Sequence, residues 1–446
     1  MFKKILIANR GEIAVRIIRA CREMGIDTVA VYSTADKDSL HVQMADEAIC
    51  IGSPLPKDSY LNIQNILSAT VLTGCEAIHP GFGFLSENSK FAKMCEECNI
   101  VFIGPDADII DKMGNKSNAR EMMMKANVPV IPGSKRAILN DEDGLNTANE
   151  IGYPVMIKAS AGGGGRGIRI VRDEKDFLEA LHTAKGEAKS AFGDDTMYIE
   201  KFIEQPKHVE IQILADNYGN VVYLAERDCS MQRRNQKVLE EAPCSIISKE
   251  LRAKMGEAAV RAAEYVGYKN AGTIEFLLDN KMNFYFMEMN TRIQVEHPVT
   301  EAITGIDLIK EQIRIAAGEK LRFSQEDINI NGHSIECRIN AEDVNKNFAP
   351  CPGTISNIFI PGGLGIRVDT CLYDGYKISP FYDSMIAKLI VHGENREEAI
   401  NRMRRALAEF IISGVKTNID YQLEILNSEE FILGNYDTGF IGRNHK

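Results

Sequence analysis

The stretch Phe284-Tyr285-Phe286-Met287-Glu288-Met289-Asn290-Thr291-Arg292-Ile293-Gln294-Val295-Glu296-His297-Pro298 decides how the rest of the chain is read. Its polar groups fall on alternate positions, Glu288, Asn290, Arg292, Gln294 and Glu296, with Met287, Met289, Thr291, Ile293 and Val295 between them. In an extended chain successive side chains point to opposite faces, so this pattern predicts one face carrying five polar groups and another anchored in protein. The competing reading is a half-buried strand with a solvated face. Solvated faces are usually written in Lys, Glu, Thr and Ser. Two carboxylates, two amides and a guanidinium in sequence favour a site.

Just upstream, residues 271–279 read as a strand, followed by turn-prone Asn280-Lys281 and a second strand from about Asn283. A hairpin folded around Lys281-Met282 sets Glu275 opposite Glu288. Two carboxylates directly across a ladder repel each other. A bound cation removes the repulsion, and Asn290 lies two positions on, on the same face. Hard divalent cations take oxygen ligands, and Mg²⁺ commonly uses one or two carboxylates plus substrate phosphates. The hairpin therefore predicts a Mg²⁺–nucleotide site. A slip of one residue would send one carboxylate to the other face.

The 446 residues suggest about three domains. A 44% hydrophobic and 26% charged composition describes a soluble globular protein with ample core. The net charge of −11 argues against a nucleic-acid partner. Charge interrupts the apolar run at residues 5–8, which reads as a first strand and not a signal peptide, and no apolar segment is long enough to span a bilayer. Ten cysteines are scattered singly apart from Cys95 and Cys98, which share a helix-like segment and read as structural, with metal or redox chemistry the second reading. These features imply a reduced, cytoplasmic protein with no membrane association.

Residues 1–112 alternate strands and helices: strand 4–8, helix 11–24 with Ile13, Ile17, Ala20 and Cys21 on one face, then strand 27–33. This is a doubly wound α/β beginning. The turn Ala8-Asn9-Arg10-Gly11-Glu12 lacks the Gly-x-Gly-x-x-Gly pattern, so a nicotinamide cofactor has no support. Residues 77–88 are a strand end running into a glycine-rich loop, either a ligand-bearing strand end or a tight turn. Residues 113–330 carry the nucleotide signals. A strand over 152–160 and another over 168–171 flank Ala161-Gly162-Gly163-Gly164-Gly165-Arg166-Gly167, so the loop joins two strands and opens no helix. That excludes a Walker-type loop and suggests a flap laid over phosphates, within a subdomain of about 131–203, against the alternative of a plain linker. Residues 198–203 read as a strand entering a turn, where Glu200 and Lys201 with apolar neighbours would suit an adenine slot. His208, Glu210 and Gln212 share one strand face. Residues 226–237 concentrate three arginines and a lysine, an anion site or solvated charge. Residues 331–446 hold a strand at 333–340, Pro/Gly-rich turns and a helix over 395–410 with Ala399, Ile400, Met403, Ala406 and Leu407 inward, predicting a β-rich domain closing over the site.

His79-Pro80-Gly81-Phe82-Gly83-Phe84-Leu85-Ser86-Glu87-Asn88, the four glycines before Arg166, Arg227-Asp228-Cys229-Ser230 and the 288–298 run together resemble biotin carboxylase over essentially the whole chain. The likeness is strongest to the stand-alone bacterial subunit of acetyl-CoA carboxylase type. The resemblance implies an ATP-grasp fold between the N-terminal α/β and C-terminal β-rich domains. It implies ATP contacts from Lys116, Lys158, Gly164, Gly165, Glu200, Lys201, Ile203, His208 and Gln232, with Glu275 and Glu288 near the phosphates. Glu275, Glu288 and Asn290 resemble the ligands of Mg²⁺ or Mn²⁺. Lys237, Arg292, Gln294 and the Val295 backbone resemble a bicarbonate cradle, Glu296 the general base, and Arg338 the group that stabilises the biotin enolate. Two departures stand out: Asn235 where many relatives carry histidine, and Phe82 where a tyrosine is common near the biotin pocket.

In the implied reaction Glu296 deprotonates bicarbonate, the oxyanion attacks the γ-phosphate, and carboxyphosphate yields CO₂ and a phosphate that deprotonates biotin. No Met-Lys-Met motif occurs, so biotin is expected on a separate carrier protein, with transfer by carboxyltransferase subunits. The family implies a homodimer, with Arg16, Arg19, Glu23 and Arg367 as candidate interface residues. The final acceptor stays open between acetyl-CoA, another acyl-CoA and pyruvate. The competing readings are another ATP-grasp carboxylate–amine ligase and a nucleotide-sensing or scaffold subunit.

Overall fold

The first strand, Lys4–Ile7, is buried by three consecutive aliphatic residues and pairs in parallel with Asp27–Ser33 and Ala77–His79. The full sheet runs Glu47–Gly52, Asp27–Ser33, Lys4–Ile7, Ala77–His79, Val101–Phe102, all parallel. The strand order reverses direction between Lys4–Ile7 and Ala77–His79, where open α/β sheets hold ligands beyond the strand ends. The expected helix spans Gly11–Glu23, but its burial is wider than one face: Ala14, Val15, Arg16 and Ile18 are also covered. The cause is packing on two sides, against the sheet and against the strand Ile366–Thr370 and helix Leu308–Ala316.

The structure is a computed structural model that describes residues 1–134, 136–159, 167–192 and 194–444. Two compact units divide it. One is built of Met1–Val128, Lys207–Phe276 and Glu288–Lys446, the other of Pro129–Pro206 and Leu277–Met287. An eight-stranded sheet dominates the first unit, in the order Phe284–Asn290, Asn270–Leu278, Lys207–Ala215, Val221–Arg233, Gln236–Ala242, His333–Asn340, Met385–Gly393, Ile366–Thr370. The tip of its first hairpin belongs to the second unit. The strand His333–Asn340 matches the sequence expectation, yet it continues the sheet of the chain's middle third by pairing antiparallel with Gln236–Ala242. The expected C-terminal helix is Arg396–Glu409. Asn395 caps it by accepting from the Glu398 N–H, and Ala399, Ile400, Met403, Ala406 and Leu407 are buried as predicted. They pack on Ile335, Cys337 and Ile339 of the sheet.

The second unit holds a three-stranded antiparallel sheet in the order Ile168–Val171, Val155–Ala159, Met197–Lys201. Phe177 and Leu181 of the helix Phe177–Phe192 cover Ile157 and Ile199. The glycine loop thus connects two antiparallel strands as expected, while Gly164 and Gly165 lie outside the described residues. Cys95 is buried and Cys98 exposed, both free thiols. Among the described residues no helix is long and apolar enough to cross a membrane.

Candidate active site

The deciding stretch is only half a strand. Extended structure ends at Asn290, residues 291–296 form a loop, and a helix begins at His297 with Pro298 in its first turn. The expected alternation along one continuous strand therefore stops at Asn290. Its polar groups still meet, because Arg292 Nη2 donates to Asn290 Oδ1 at 3.1 Å and Arg292 Nη1 to Gln294 Oε1 at 2.9 Å. Arg292 is aimed from outside the stretch as well: its Nε donates to Glu87 Oε2 at 2.8 Å, and Glu87 Oε1 accepts from the Thr291 N–H at 3.1 Å. Glu87 comes from the 80–88 loop, which Asn9 ties down by donating to the Pro80 and Phe82 carbonyls at 2.7 Å each. Gly81 is at φ +60°, and a Cβ there would stand 2.9 Å from Asn9 Nδ2, so the tight turn requires glycine. Phe82 is part-buried against the N-terminal core.

Glu275 is buried and heavily engaged. Its Oε1 accepts from Lys237 Nζ and Asn290 Nδ2 at 2.9 Å each and from Gln294 Nε2 at 3.3 Å, and its Oε2 lies 3.1 Å from His208 Nε2. Gln232 Nε2 stands 2.6 Å from His208 Nδ1. Glu288 is part-exposed, and its ion-pair partner is Lys116 at 3.6 Å, whose side chain is 86% exposed. So the hairpin brings Glu275 and Asn290 into contact, while Glu288, which the sequence reading set opposite Glu275, faces Lys116. Ligand atoms of His208, Glu210 and Glu275 lie within 4.8 Å of one another, a grouping in which Glu210 was not foreseen.

Beside this lies a buried row of alternating charge. Lys237 Nζ donates to Glu210 Oε2 at 2.7 Å and to Glu296 Oε1 at 2.7 Å as well as to Glu275. Arg338 Nη2 donates to Glu296 Oε2 at 3.0 Å, and Arg338 Nε to Glu240 Oε1 at 2.6 Å. Burial alone would push the Glu296 carboxyl up, but Lys237 and then Arg338 hold it well below the usual carboxylate range. Glu275 is likewise held below, with Lys237 and His208 outweighing burial. Glu240 goes the other way: burial lifts it to about 7 despite Arg338. It stands directly across the ladder from Glu336, both fully buried, and burial keeps Glu336 well above the usual range.

The basic cluster at 226–237 is not one anion site, which corrects that reading. Arg227 is fully buried and donates to Glu210 at 2.5 Å, Gln212 at 2.8 Å and Thr300 at 2.9 Å. Arg233 and Arg234 turn to Asn347, beside a turn in which Arg234 and Asn235 both have positive φ. Only Lys237 joins the site. In the second unit, Lys158 pairs with Glu200 at 2.5 Å, Ile203 is buried, and Lys201 donates to the Gly152 and Tyr153 carbonyls at 2.8 Å each. Arg16 and Arg367 both bind Glu301 within the chain, at 3.0 and 2.6 Å, and Glu23 accepts from Lys310, whereas Arg19 is exposed.

Three family models match successive stretches: the biotin carboxylase N-terminal domain over residues 1–110, the carbamoyl-phosphate synthase L chain ATP binding domain over 115–324 and the biotin carboxylase C-terminal domain over 336–443. The chain belongs to the biotin carboxylase family. It is 60% identical over 442 residues to biotin carboxylase 1 of Bacillus subtilis, covering 99% of this chain and 98% of that one. It is 57% identical over 441 residues to a pyruvate carboxylase subunit of Methanothermobacter thermautotrophicus, covering 99% and 90%. Among solved structures it matches the biotin carboxylase domain dimer of Hydrogenobacter thermophilus 2-oxoglutarate carboxylase, in complex with MgADP, ADP and bicarbonate. That likeness has a TM-score of 0.89 and 54% identity, over 99% of this chain and 98% of that one. The chain is an ATP-grasp ligase, with a parallel N-terminal sheet ahead of its ATP-binding segment.

Proposed function

We propose that this enzyme uses ATP and bicarbonate to carboxylate biotin presented on a separate carrier protein, through carboxyphosphate. The observation that carries the reading is the seat of Glu296: a fully buried carboxylate between Lys237 and Arg338, two residues from Gln294 and four from Arg292. Lys237, Arg292, Gln294 and the Val295 N–H hold the small anion, and Glu296 takes its proton. With both oxygens committed to cations, Glu296 is a weak base on its own. A bound anion shares the charge of Lys237 and Arg338, and the carboxylate's basicity rises accordingly. The bicarbonate oxygen then displaces ADP from the γ-phosphorus. Carboxyphosphate breaks into CO₂ and phosphate, the phosphate takes the biotin N1′ proton, and Arg338 faces the enolate-like oxygen. Lys116, Lys158, Glu200, Lys201, Ile203, His208 and Gln232 are assigned to ATP, with the glycine loop as a cover.

The donor set of Glu275, Glu288 and Asn290 is all oxygen, carried partly on a buried carboxylate, and fits Mg²⁺ or Mn²⁺. A divalent ion there would neutralise charge on the ATP phosphates. We assign the chain to the first half-reaction of acetyl-CoA carboxylase, as a cytoplasmic homodimer working with carboxyltransferase subunits, and divide it at 112/113 and 330/331. A two-subunit pyruvate carboxylase is the second reading, favoured by the 57% identity to a pyruvate carboxylase subunit. The test is phosphate release from MgATP. Release that needs bicarbonate and rises with free biotin supports the reading. Turnover driven instead by another carboxylate or an amine would move the enzyme to a different ATP-grasp reaction.

A further inference from the structure

The strand Met385–Gly393 lies between two others, and its register sets Lys388 opposite Arg338 on one side and Asp369 on the other. Opposed residues on antiparallel neighbours share a face, so Arg338 and Lys388 rise from one row. They grip consecutive residues of the 291–296 loop. Arg338 holds the Glu296 side chain, and Lys388 Nζ donates to the Val295 carbonyl at 2.8 Å. Lys388 is fully buried, with Glu12 Oε1 at 3.3 Å and Asp369 Oδ2 at 3.9 Å as counterions. Burying an ammonium is costly even when it is paired, and no step above uses this one. What it does is hold the peptide that joins Val295 to Glu296.

The preceding peptide is held by a different residue. Gln294 O accepts from the His297 N–H at 3.3 Å and lies 2.8 Å from His297 Nδ1. A carbonyl only accepts, so Nδ1 carries the hydrogen, and burial pushes the imidazole down to about 3, keeping the ring neutral. In a trans peptide the C=O and N–H of one unit point in opposite directions. Anchoring Gln294 O at His297 therefore aims the Val295 N–H away from it. Among the described residues that N–H has no protein acceptor, and Val295 is part-exposed.

We propose that His297 and Lys388 are positioning residues for the anion cradle, fixing the two peptides on either side of Val295 so that its N–H is presented to bicarbonate and Glu296 is kept within reach of Lys237 and Arg338. This rests on the reading that the Val295 N–H binds bicarbonate. The test compares KM for bicarbonate, KM for ATP, kcat and the thermal midpoint across His297→Asn, His297→Gln, Lys388→Met and the double variant Lys388→Met with Glu12→Gln. Asparagine keeps an N–H donor near the Nδ1 position, whereas glutamine moves it by one methylene. His297→Gln and Lys388→Met should raise KM for bicarbonate by about tenfold or more, as loss of an outer partner does at other tightly organised sites. KM for ATP should stay within about twofold, and His297→Asn should resemble the parent. The double variant removes the carboxylate left without its ammonium, so it should recover thermal stability but not bicarbonate affinity. Equal behaviour of the two His297 variants, a matched rise in both KM values, or a fall in thermal midpoint alone would each overturn the proposal. If Lys388→Met does not fold, the His297 pair decides. A parent enzyme with no saturable bicarbonate dependence would instead sink the proposed function, and this inference with it.

Discussion

Replacing Lys237 by methionine keeps most of the side chain's length and removes the ammonium that three buried carboxylates share. Its Nζ lies 2.7 Å from Glu210, 2.9 Å from Glu275 and 2.7 Å from Glu296, whose side chains are 0, 5 and 0% exposed. Removing one partner of a buried ion pair generally costs about 3–5 kcal/mol. Here Arg227 still holds Glu210 and Arg338 still holds Glu296, so the lower end applies. A loss of about 3 kcal/mol is a factor of roughly 150 in the folding equilibrium. The loss also has a direction in pH. In the parent, Glu275 and Glu296 are held below the usual range, so their contribution is present above ordinary carboxylate pKa values and fades as pH falls through their folded ones. In the variant, burial without Lys237 raises these carboxyls, and protonation relieves the penalty as pH falls. Urea unfolding followed by circular dichroism, at about pH 8 and about pH 5, should therefore show the larger difference from the parent at the higher pH. An equal loss at both pH values would refute the shared-ammonium account, and so would a loss under about 1 kcal/mol at the higher pH.

Glu296→Gln should cut bicarbonate-dependent phosphate release by roughly 10²–10⁴-fold with nucleotide binding intact. Its unfolding midpoint should stay close to the parent's, because it leaves Glu210, Glu240 and Glu275 against Arg227, Lys237 and Arg338, and a steep fall in stability would contradict that balance. Arg338→Ala should abolish the stimulation by biotin while a slow biotin-independent ATPase survives, and undiminished biotin turnover would remove Arg338 from its assigned role. Glu288→Gln should raise the Mg²⁺ concentration for half-maximal activity by on the order of tenfold, read from a metal titration at fixed ATP. Phe177→Ala should cost about 3–5 kcal/mol within the second unit, since Phe177 is fully buried in its core, and should be visible as faster amide exchange in the strand Val155–Ala159.

The parallel N-terminal sheet, the helix over Arg396–Glu409 with its inward residues, and the glycine loop between two strands were all legible in the sequence. Each rests on a period of two or 3.6 residues, or on a cap or turn residue, and such signals are local. That Glu275, Glu288 and Asn290 sit on two strands adjacent in sequence was legible for a similar reason, whereas the contact of Glu275 with Asn290 emerged only in the structure. What only the tertiary structure decided is which distant charge meets which. Nothing local to residues 226–237 says that Arg227 is sealed against Glu210 while Lys237 reaches Glu296, or that the extended run stops at Asn290. Glu210, Glu240 and Lys388 carry no motif of their own, and Glu87, though it lies in the glycine-rich motif of residues 79–88, carries no sign there that it meets Arg292. They enter the site because strand order and register bring together residues up to about 200 positions apart, and burial then makes each unpaired charge too costly to leave alone.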